Sequence, residues 1–226
     1  MRPAIVILAA GSGTRFGHST NKVWLPLGGK AVITRTISNA HEAFPEAPLV
    51  LVINQDDETM AREILQRELP NIPIEMTYGG STRHGSEYKA LLHLQKEINS
   101  GEIDVVLIHD GARPLATPNL YRKIAETAAK LGGAIPTTTI NPKEIDISHE
   151  NRIVKVQTPQ GFLAKELLDA YLRAEVDGFT GTDTGACVER YFPTIRAKAV
   201  EAEVSNIKIT YAEDLALAEV LLTQGF

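Results

Sequence analysis

The chain alternates short, continuous runs of apolar residues with longer stretches in which apolar residues recur every three or four positions. Continuous apolar runs are typical of strands covered on both faces, and the recurring pattern is typical of helices with one buried face. The predicted strands are Ala4–Ala9, Pro48–Ile53, Val105–His109 and Gly133–Thr139, and the predicted helices are Val32–Ala43, Glu58–Glu68, Ser86–Ile98 and Asn119–Leu131. This order predicts an α/β fold, a Rossmann-like, mostly parallel sheet with helices on both faces and ligands at the carboxyl ends of the strands.

The regular pattern is interrupted between Thr138 and Thr158, where isolated apolar residues alternate with polar ones. Alternation with period two, together with the turn-forming pair Asn141 and Pro142, predicts a protruding β-hairpin arm. Because the strands of an isolated hairpin are poorly buried, we expect the arm to pair with a second subunit and give a homodimer. A solvent-exposed excursion is the alternative.

The end of the chain, Ala212–Leu222, has the pattern of an amphipathic helix that closes the core. Its inward residues are predicted to be Leu215, Ala218, Leu221 and Leu222.

Composition and charge narrow the class of protein. The 226 residues are predicted to form one domain, residues 1–226, long enough to bury a substantial core. The net charge of −5, without a basic cluster in the sequence, argues against a nucleic-acid partner. A single cysteine, Cys187, excludes an intrachain disulfide and suits a reducing compartment. The first apolar run is too short for a membrane span and leads into no signal cleavage site, so we expect a cytoplasmic protein without a membrane partner.

The first strand leads directly into a glycine-rich segment that carries an arginine and is followed by a lysine. Gly11 and Gly13 allow backbone N–H groups to approach a ligand closely, and Arg15 and Lys22 place positive charges beside a polyphosphate. Phe16 stands where a Rossmann fingerprint requires glycine, and the sequence lacks the Gly-Lys-Ser/Thr of a Walker A loop. The segment predicts a nucleotide site built from glycine, arginine and lysine, with an ordinary strand-to-helix turn as the alternative.

Two further clusters combine glycines with polar side chains. Tyr78–Ser86 is a glycine-rich loop at a helix start, whose N–H groups and hydroxyls can read the edge of a planar base. In His109–Pro114, Asp110 lies beside Arg113 after an apolar strand, which suits a magnesium and phosphate site because Mg²⁺ prefers hard oxygen ligands. An ion pair between Asp110 and Arg113 within a turn is the alternative. The histidines show no spacing typical of a zinc site or a catalytic triad.

The polar residues nearer the end of the chain have plain interpretations when taken alone. Thr182 or Asp183 is placed to cap the helix that follows. Lys208 alternates with Ile207 and Ile209 in a strand-like segment, so it is interpreted as a surface lysine that points away from the apolar face.

Taken together, these clusters resemble, in order and across nearly the full length, the 2-C-methyl-D-erythritol 4-phosphate cytidylyltransferase family and its relatives, the ribitol-phosphate cytidylyltransferases. The motifs that carry the resemblance are Leu8-Ala-Ala-Gly-Ser-Gly-Thr-Arg15, Lys22, Gly79-Gly80 with Arg83 and Ser86, His109-Asp-Gly-Ala-Arg-Pro114, Gln157-Thr-Pro-Gln-Gly-Phe162, Thr182-Asp183 and Asn206-Ile-Lys-Ile-Thr210.

The resemblance implies a CTP-dependent cytidylyltransferase that transfers CMP to a phosphorylated polyol, releases pyrophosphate and uses Mg²⁺ or another divalent cation. The catalytic residues it implies are Arg15, Lys22 and Lys208. The nucleotide-binding residues it implies are Ala9, Ala10, Gly11, Gly13, Gly79, Gly80, Arg83, Ser86 and Asp110, with Asp110 also at the metal. The contacts to the second substrate that it implies are Arg113, Thr139, Thr158, Thr182 and Asp183. The family's β-arm, exchanged across a dimer, matches the arm predicted here.

The segment expected to meet the acceptor departs from the family pattern. In the methylerythritol branch the strand into the arm reads Asp-Thr-x-Lys and the arm carries an arginine, whereas this chain has Thr137-Thr-Thr-Ile-Asn-Pro-Lys143. Thr139 stands in the threonine position, and Arg152 lies nearer to Thr158 than the family arginine does to its threonine. Because a site that loses a charged partner binds a phosphate less tightly, we expect poor turnover of methylerythritol phosphate and a preference for another polyol phosphate, ribitol 5-phosphate first.

The residue inventory suits attack by a phosphate monoester. Its second pKa is about 6, so it needs no general base, and the cations offset the repulsion between two polyanions. Other nucleotidyltransferases, of the sugar-1-phosphate or molybdopterin type, are the alternative within enzymes, and nucleotide preference separates them. An inactive nucleotide-binding regulatory subunit is the alternative outside enzymes, and the presence of Arg15, Lys22, Asp110 and Lys208 together argues against it.

Overall fold

The computed structural model describes residues 1–11, 21–139 and 154–225, which form alternating strands and helices. The strands are β1 (Pro3–Leu8), β2 (Pro26–Leu27), β3 (Lys30–Ala31), β4 (Leu49–Ile53), β5 (Glu75–Tyr78), β6 (Val105–Asp110), β7 (Gly133–Thr139), β8 (Val154–Val156), β9 (Gln160–Leu163) and β10 (Lys198–Glu201). The helices are α1 (Val32–Ala43), α2 (Glu58–Glu68), α3 (Arg83–His93), α4 (Gln95–Ser100), α5 (Pro118–Leu131), α6 (Ala164–Asp177), α7 (Thr184–Tyr191) and α8 (Ala212–Thr223). Short 3-10 turns are formed by Lys22–Trp24 and Gln55–Asp57.

The large sheet has the strand order β10-β7-β9-β6-β1-β4-β5, and β8 pairs with β7 beside this path. β1 lies parallel to both of its neighbours, so that Val6 is opposite Val50 of β4 and Ile108 of β6. β4 with β5 and β7 with β10 are also parallel, whereas β9 is antiparallel to both β6 and β7. The sheet is therefore mostly parallel, and the predicted α/β fold class is confirmed.

Each face of the sheet is buried under helices. In β1, Ile5 and Ile7 belong to one apolar cluster, which includes side chains of α1, α2 and α5. Ala4 and Val6 point to the other face and belong to a second cluster with α3, α4, α6 and α7. Because successive side chains of a strand point to opposite faces, two covered faces require the continuous apolar run that the sequence shows.

One predicted helix is divided in two. The prediction of a single helix Ser86–Ile98 was wrong, because the chain leaves helical geometry at Leu94, whose φ is −91° and ψ is 3°. The first part also begins earlier, at Arg83, since the Thr82 hydroxyl accepts a hydrogen bond from the Gly85 N–H at 3.0 Å and caps the helix. Leu94 and Ile98 stay buried, so the apolar face continues across the break.

The strand-like segment around Lys208 is not a strand. Residues 206–210 form neither helix nor strand. One backbone hydrogen bond, from Ile209 N to Ala112 O at 2.8 Å, holds the segment against the loop that follows β6. The next two N–H groups, of Thr210 and Tyr211, donate to Asp214 Oδ2 at the start of α8, so no ladder continues.

The base of the predicted arm is an antiparallel pair of strands. Thr137 of β7 lies opposite Val156 of β8, and Thr139 lies opposite Val154. The rest of the predicted arm, residues 140–153 with Asn141, Pro142, Lys143 and Arg152, lies outside the described residues.

The last helix, α8, has the inward face that its sequence predicts. Ala218 is buried, and the other predicted inward residues, Leu215, Leu221 and Leu222, pack against the same apolar cluster. Leu217 and Val220 are exposed on the remaining surface of the helix.

Cys187 lies buried in α7 as a free thiol. Burial raises the pKa of this thiol to about 12, so it stays protonated and unreactive at neutral pH. Among the described residues, no helix has both the length and the apolar character that a membrane crossing requires.

Candidate active site

A cavity of about 660 Å³ opens at the carboxyl ends of β1 and β6, beside the loop between β5 and α3. This is the edge of a parallel sheet at which ligands of α/β proteins bind. The described residues that line the cavity are Leu8, Ala9, Ala10, Gly11, Asn21, Lys22, Val23, Asn54, Gly80, Ser81, Thr82, Arg83, Ser86, Asp110, Ala112, Lys208 and Thr210.

The structure brings many of the predicted nucleotide and catalytic residues to this cavity. Those that line it are Ala9, Ala10, Gly11, Lys22, Gly80, Arg83, Ser86, Asp110 and Lys208. Those among the described residues that do not line it are Gly79, Arg113, Thr139, Thr158, Thr182 and Asp183. Gly13 and Arg15 lie outside the described residues. The ligand contacts assigned to all these residues stay predictions.

Asp110 ends β6 and is surrounded by three cationic side chains. Its Oδ1 accepts a hydrogen bond from Arg83 Nη1, and its Oδ2 lies 2.8 Å from Lys208 Nζ. Arg113 Nε lies 3.7 Å from the same Oδ2, so the ion pair considered from the sequence is present. Burial by itself would raise the pKa of Asp110, but the charges of Arg83, Lys208 and Arg113 outweigh it and hold the pKa well below its usual range. Asp110 is therefore a carboxylate at neutral pH.

The three cations differ in their access to solvent. The side chains of Arg83 and Lys208 are 31% and 41% exposed, and both line the cavity. The Arg113 side chain is 7% exposed and donates from Nη1 to the backbone oxygen of Asn206 at 2.7 Å. Arg83 and Lys208 therefore face the cavity, whereas Arg113 is held in the protein interior.

Behind Asp110 lies a buried polar network, here called the floor, which comprises His109, Arg113, Gln157, Thr158 and Asn206. Thr158 Oγ1 accepts from the Asp110 N–H at 3.0 Å and lies 3.0 Å from His109 Nδ1. Burial lowers the pKa of His109 to about 3, so the ring is neutral and its Nδ1 accepts the Thr158 proton. Asn206 Nδ2 donates to Gln157 Oε1 at 2.9 Å and to Thr158 O at 3.0 Å. The floor thereby fixes the end of β6 that carries Asp110.

The residue before Lys22 anchors it, a role that sequence reasoning missed. Asn21 is buried, and its Nδ2 donates to Ala9 O at 2.7 Å and to Asp57 Oδ2 at 3.2 Å. Asp57 Oδ2 also accepts from Trp24 Nε1 at 2.9 Å. These bonds hold the short turn containing Lys22 against the end of β1. Asn21 Oδ1 also accepts from the Val23 N–H at 3.4 Å and caps the turn, and an asparagine before a short apolar run is a sequence signal for this cap, although not for the bonds to Ala9 and Asp57.

The Gly79-Gly80 pair allows the second loop to pack against the first loop and against α3. A Cβ at Gly79 would lie 2.4 Å from Ala10 Cβ, and one at Gly80 would lie 2.8 Å from the backbone of α3. Ser86 Oγ accepts from the Gly80 N–H at 3.1 Å and donates to Thr82 O at 2.9 Å. A hydroxyl carries one donor and two acceptor sites, so Ser86 keeps one acceptor site for a ligand.

Asp183 has a structural role at the start of α7. Its side chain accepts from the Ala186 N–H at 2.8 Å, which confirms the predicted helix cap, and from Gln160 Nε2 at 3.1 Å. Thr182, directly before it, is exposed, and so is Thr139 at the end of β7. Both threonines are accessible to solvent, and their predicted contact with a second substrate stays a prediction.

The described residues fit a divalent cation that arrives with phosphates better than one held by a protein cage. No group of three or more His, Cys, Asp or Glu side chains within the described ranges is placed to hold a metal. Mg²⁺ usually keeps several waters and takes one or two carboxylates plus substrate phosphates. Asp110 offers such a carboxylate, although Lys208 and Arg83 hold its oxygens here. For a cation to bind Asp110 Oδ2, Lys208, the more exposed of the two, would have to move away from that oxygen.

The fold and the cationic side chains at this cavity fit an α/β enzyme of the nucleotidyltransferase class, and the family match confirms that predicted enzyme class. Residues 4–224 match the family of 2-C-methyl-D-erythritol 4-phosphate cytidylyltransferases. The chain belongs to this family, as the resemblance of its motifs implies.

Individual relatives agree over nearly the full length. The chain is 34% identical to the 2-C-methyl-D-erythritol 4-phosphate cytidylyltransferase of Bacillus velezensis, over 98% of this chain and 96% of the relative. The enzyme of that name from a Synechococcus species is also 34% identical, over 97% of each. Among solved structures, the 4-diphosphocytidyl-2C-methyl-D-erythritol synthase of Anaerococcus prevotii superposes with a TM-score of 0.80 at 28% identity, covering 98% of this chain and 96% of that one.

Proposed function

We propose that this chain transfers CMP from CTP to a phosphorylated polyol and releases pyrophosphate, with 2-C-methyl-D-erythritol 4-phosphate as the first acceptor. The observation that carries the proposal is the set of cations around Asp110, at the edge of a cavity that Lys22 also lines. Two polyanions repel each other when they meet, and a transfer between them needs positive charge at the point of contact. Family membership supports methylerythritol phosphate as the acceptor.

Cytosine would be selected at the loop between β5 and α3. Ser86 keeps an acceptor site, and the N4 amino group of cytosine is a donor that matches it. Uracil presents an acceptor oxygen at the same place and would face the Ser86 oxygen unpaired. This arrangement favours CTP over UTP.

The transfer needs no general base from the protein. A phosphate oxygen of the acceptor attacks the α-phosphorus of CTP, and a new P–O bond forms. The bond between the α-phosphorus and the oxygen bridging to the β-phosphorus breaks, and its electron pair leaves with pyrophosphate. The acceptor phosphate is mostly a dianion at neutral pH because its second pKa is about 6. Arg15 and Lys22 hold the triphosphate in this proposal, and Lys208 binds the phosphates at the reaction centre.

Asp110 and Lys208 have linked roles in this proposal. Mg²⁺, when bound, supplies charge neutralisation between the phosphates. Asp110 would hold the ion with phosphate oxygens and water as its other ligands, and Arg83 would keep the carboxylate in place. Lys208, released from Asp110 Oδ2, would turn to a phosphate, since its side chain already borders the cavity.

Ribitol 5-phosphate is a second candidate acceptor, favoured by the sequence at the end of β7. With Thr139 in the threonine position, the acid and the lysine of the Asp-Thr-x-Lys pattern are replaced by Thr138 and Asn141. Thr139 is exposed and offers a neutral hydroxyl instead. Poor turnover of methylerythritol phosphate, predicted from this segment, would favour ribitol 5-phosphate over the acceptor that family membership supports, and the panel of acceptors below decides between the two.

A panel of nucleotides and acceptors tests the proposal. CTP, UTP, GTP and dTTP are each paired with methylerythritol phosphate, ribitol 5-phosphate and glucose 1-phosphate in the presence of Mg²⁺, and pyrophosphate release is measured. Release with CTP and a polyol phosphate supports the proposal and names the acceptor. Release with UTP or dTTP and glucose 1-phosphate contradicts it in favour of a sugar-1-phosphate nucleotidyltransferase. Thermal stabilisation by CTP without any turnover favours a regulatory subunit.

The proposal extends to a homodimer of one-domain subunits, joined through the arm. Val154 and Val156 at the base of the arm are 41% and 44% exposed, which favours a covering partner. Deleting residues 142–150 should weaken dimerisation and raise the KM for the acceptor more than that for CTP. A monomeric native protein by light scattering would contradict this part of the proposal.

A further inference from the structure

Glu87 is a buried carboxylate that none of the roles above uses. It lies on α3, one turn after Arg83, and its side chain is 1% exposed. A buried carboxylate is costly unless its oxygens accept hydrogen bonds or meet a positive charge. The groups around Glu87 therefore indicate its role.

Three donors converge on Glu87 from three different parts of the fold. Its Oε1 accepts from Arg83 Nε at 2.9 Å and from Thr184 Oγ1 of α7 at 3.1 Å. Its Oε2 accepts from the Tyr171 hydroxyl of α6, whose pKa burial raises well above its usual value, so that the proton stays on tyrosine. With donors on both oxygens, the carboxylate has a single orientation.

Arg83 lies between two carboxylates. Its Nε bonds to Glu87, its Nη1 bonds to Asp110, and its Nη2 is buried without a hydrogen-bond partner in the described part of the chain. Burial raises the pKa of Glu87, and the Arg83 charge with the Tyr171 and Thr184 donors opposes that rise, so the guanidinium is held between two carboxyl groups on different elements rather than by a full set of hydrogen bonds. Because the guanidinium is planar and rigid, fixing Nε also fixes the direction of Nη1.

We propose that Glu87 is a positioning residue, which acts through Arg83 to hold the Asp110 carboxylate in the geometry that the transfer requires. Without Glu87, Arg83 can rotate toward its exposed side and pair with a phosphate of the substrate instead of Asp110. Tyr171 and Thr184 donate to the buried carboxylate and offset the cost of its burial, whereas the bond from Arg83 Nε is the one through which Glu87 acts on the guanidinium. This inference rests on the proposed function for its activity readout.

The first test is a double-mutant cycle on kcat/KM for CTP. Glu87→Gln keeps the side-chain shape and removes the charge, and we expect a loss of about 10- to 100-fold, as is usual for partners that orient a ligand of the reacting centre. In an Arg83→Lys background the lysine cannot bridge two carboxylates, so adding Glu87→Gln should lower kcat/KM for CTP by less than about threefold. Equal losses in both backgrounds would show that Glu87 does not act through Arg83 and would overturn the inference.

Tyr171→Phe is the matched control. It removes a hydroxyl from the same buried cluster but leaves the bond between Arg83 Nε and Glu87 Oε1 in place. We expect it to lower the melting temperature like Glu87→Gln and to keep kcat/KM within about threefold of the wild type, since the arginine keeps its position. A loss as large as that of Glu87→Gln would mean that the cluster acts through stability alone.

A spectroscopic measurement separates this inference from the proposed function. The Nε–H of Arg83, assigned by its absence in Arg83→Lys, should give a protected NMR signal in the wild type and lose that protection in Glu87→Met, which keeps the length of the side chain but has no oxygen to accept from Nε. If Glu87→Met does not fold, Glu87→Asp replaces it, since the shorter side chain keeps the charge but withdraws it from Nε. A signal unchanged in the variant overturns the inference even when the wild type turns over no substrate, and wild-type inactivity alone counts against the proposed function only.

Discussion

The cationic side chains on the two sides of Asp110 differ in burial and in the groups to which they bond. On the cavity side, Arg83 and Lys208 are partly exposed and bond to carboxylate oxygens. On the floor side, Arg113 is buried, and its Nη1 bonds to a backbone oxygen. One carboxylate is therefore shared between Lys208, which a ligand can replace, Arg83, which Glu87 also holds, and Arg113, which belongs to the core.

The difference in burial predicts which residues contribute mainly to the stability of the site and which contribute mainly to its activity. An exposed ion pair contributes little to stability, because water and salt screen it, so its partners can exchange at little cost. Removing one member of a buried charged network is expensive, because the remaining polar groups lose their partners away from water. We therefore expect substitutions on the cavity side to change turnover and substitutions in the floor to change stability.

The largest expected effect is on stability, from Arg113→Ala in the floor. The change leaves Asn206 O without its donor and removes a charge that lies 3.7 Å from Asp110 Oδ2, so the free energy of unfolding should fall by about 3 kcal/mol. Urea denaturation measures it. Arg122→Ala is the control, because Arg122 also donates to a backbone oxygen, that of Glu42 at 2.9 Å, but at an exposed site. Equal losses in the two variants would contradict the distinction between buried and exposed sites.

The cavity side should show the opposite result. Arg15→Ala, Lys22→Ala and Lys208→Ala should each lower kcat by about a hundredfold or more, because each removes a charge expected to stabilise the leaving or attacking phosphate. Their free energies of unfolding should stay within about 1 kcal/mol of the wild type. Lys30→Ala, at an exposed position in β3, serves as the control. Near-normal pyrophosphate release by any of the three variants would remove that residue from the proposed mechanism.

The sequence was informative where a physical requirement is local. The run that became β1 is continuous because both of its faces are covered, and Asp110 stood out because a charged residue ends such a run. The glycines of the second loop were assigned to ligand contact, and the structure adds a steric reason, since a Cβ at Gly79 would meet Ala10. The apolar run of β1 and the charged end of β6 can each be identified from a few consecutive residues, whereas the contact of Gly79 with Ala10 cannot.

The interactions that sequence reasoning missed join residues far apart in the chain. Asn21 and Asp57 are separated by 36 positions, and Glu87 and Tyr171 by 84, so no local pattern reports their pairing. The irregular segment around Lys208 is of the same kind. Its apolar spacing fits a strand, but the bond from Ile209 N to Ala112 O joins it to the loop after β6 instead of to a neighbouring strand.

A smaller effect in the floor is expected from Asn206→Leu. The change removes the donor to Gln157 Oε1 and Thr158 O, and the free energy of unfolding should fall by about 2 kcal/mol because both acceptors remain buried. Asn39→Leu is a matched comparison, since Asn39 Nδ2 donates to two backbone oxygens, those of Pro114 and Ala116, but is only half-buried. If Asn39→Leu lowers the free energy of unfolding more than Asn206→Leu does, burial does not explain the destabilisation caused by substitutions in the floor.

The smallest expected effect, from Thr158→Val, sharpens the comparison most. Valine keeps the shape but removes the oxygen that accepts from the Asp110 N–H and faces His109 Nδ1, so the free energy of unfolding should fall by about 1 kcal/mol. Thr158→Ser keeps the hydroxyl and should recover most of that loss. Thr158 is also predicted to contact the second substrate, and the two roles separate in the kinetics. If its function is to fix Asp110 from below, Thr158→Val should lower kcat and leave the KM for the acceptor within about twofold. A rise in that KM without a change in stability would show that Thr158 contacts the acceptor and belongs to the cavity side rather than to the floor.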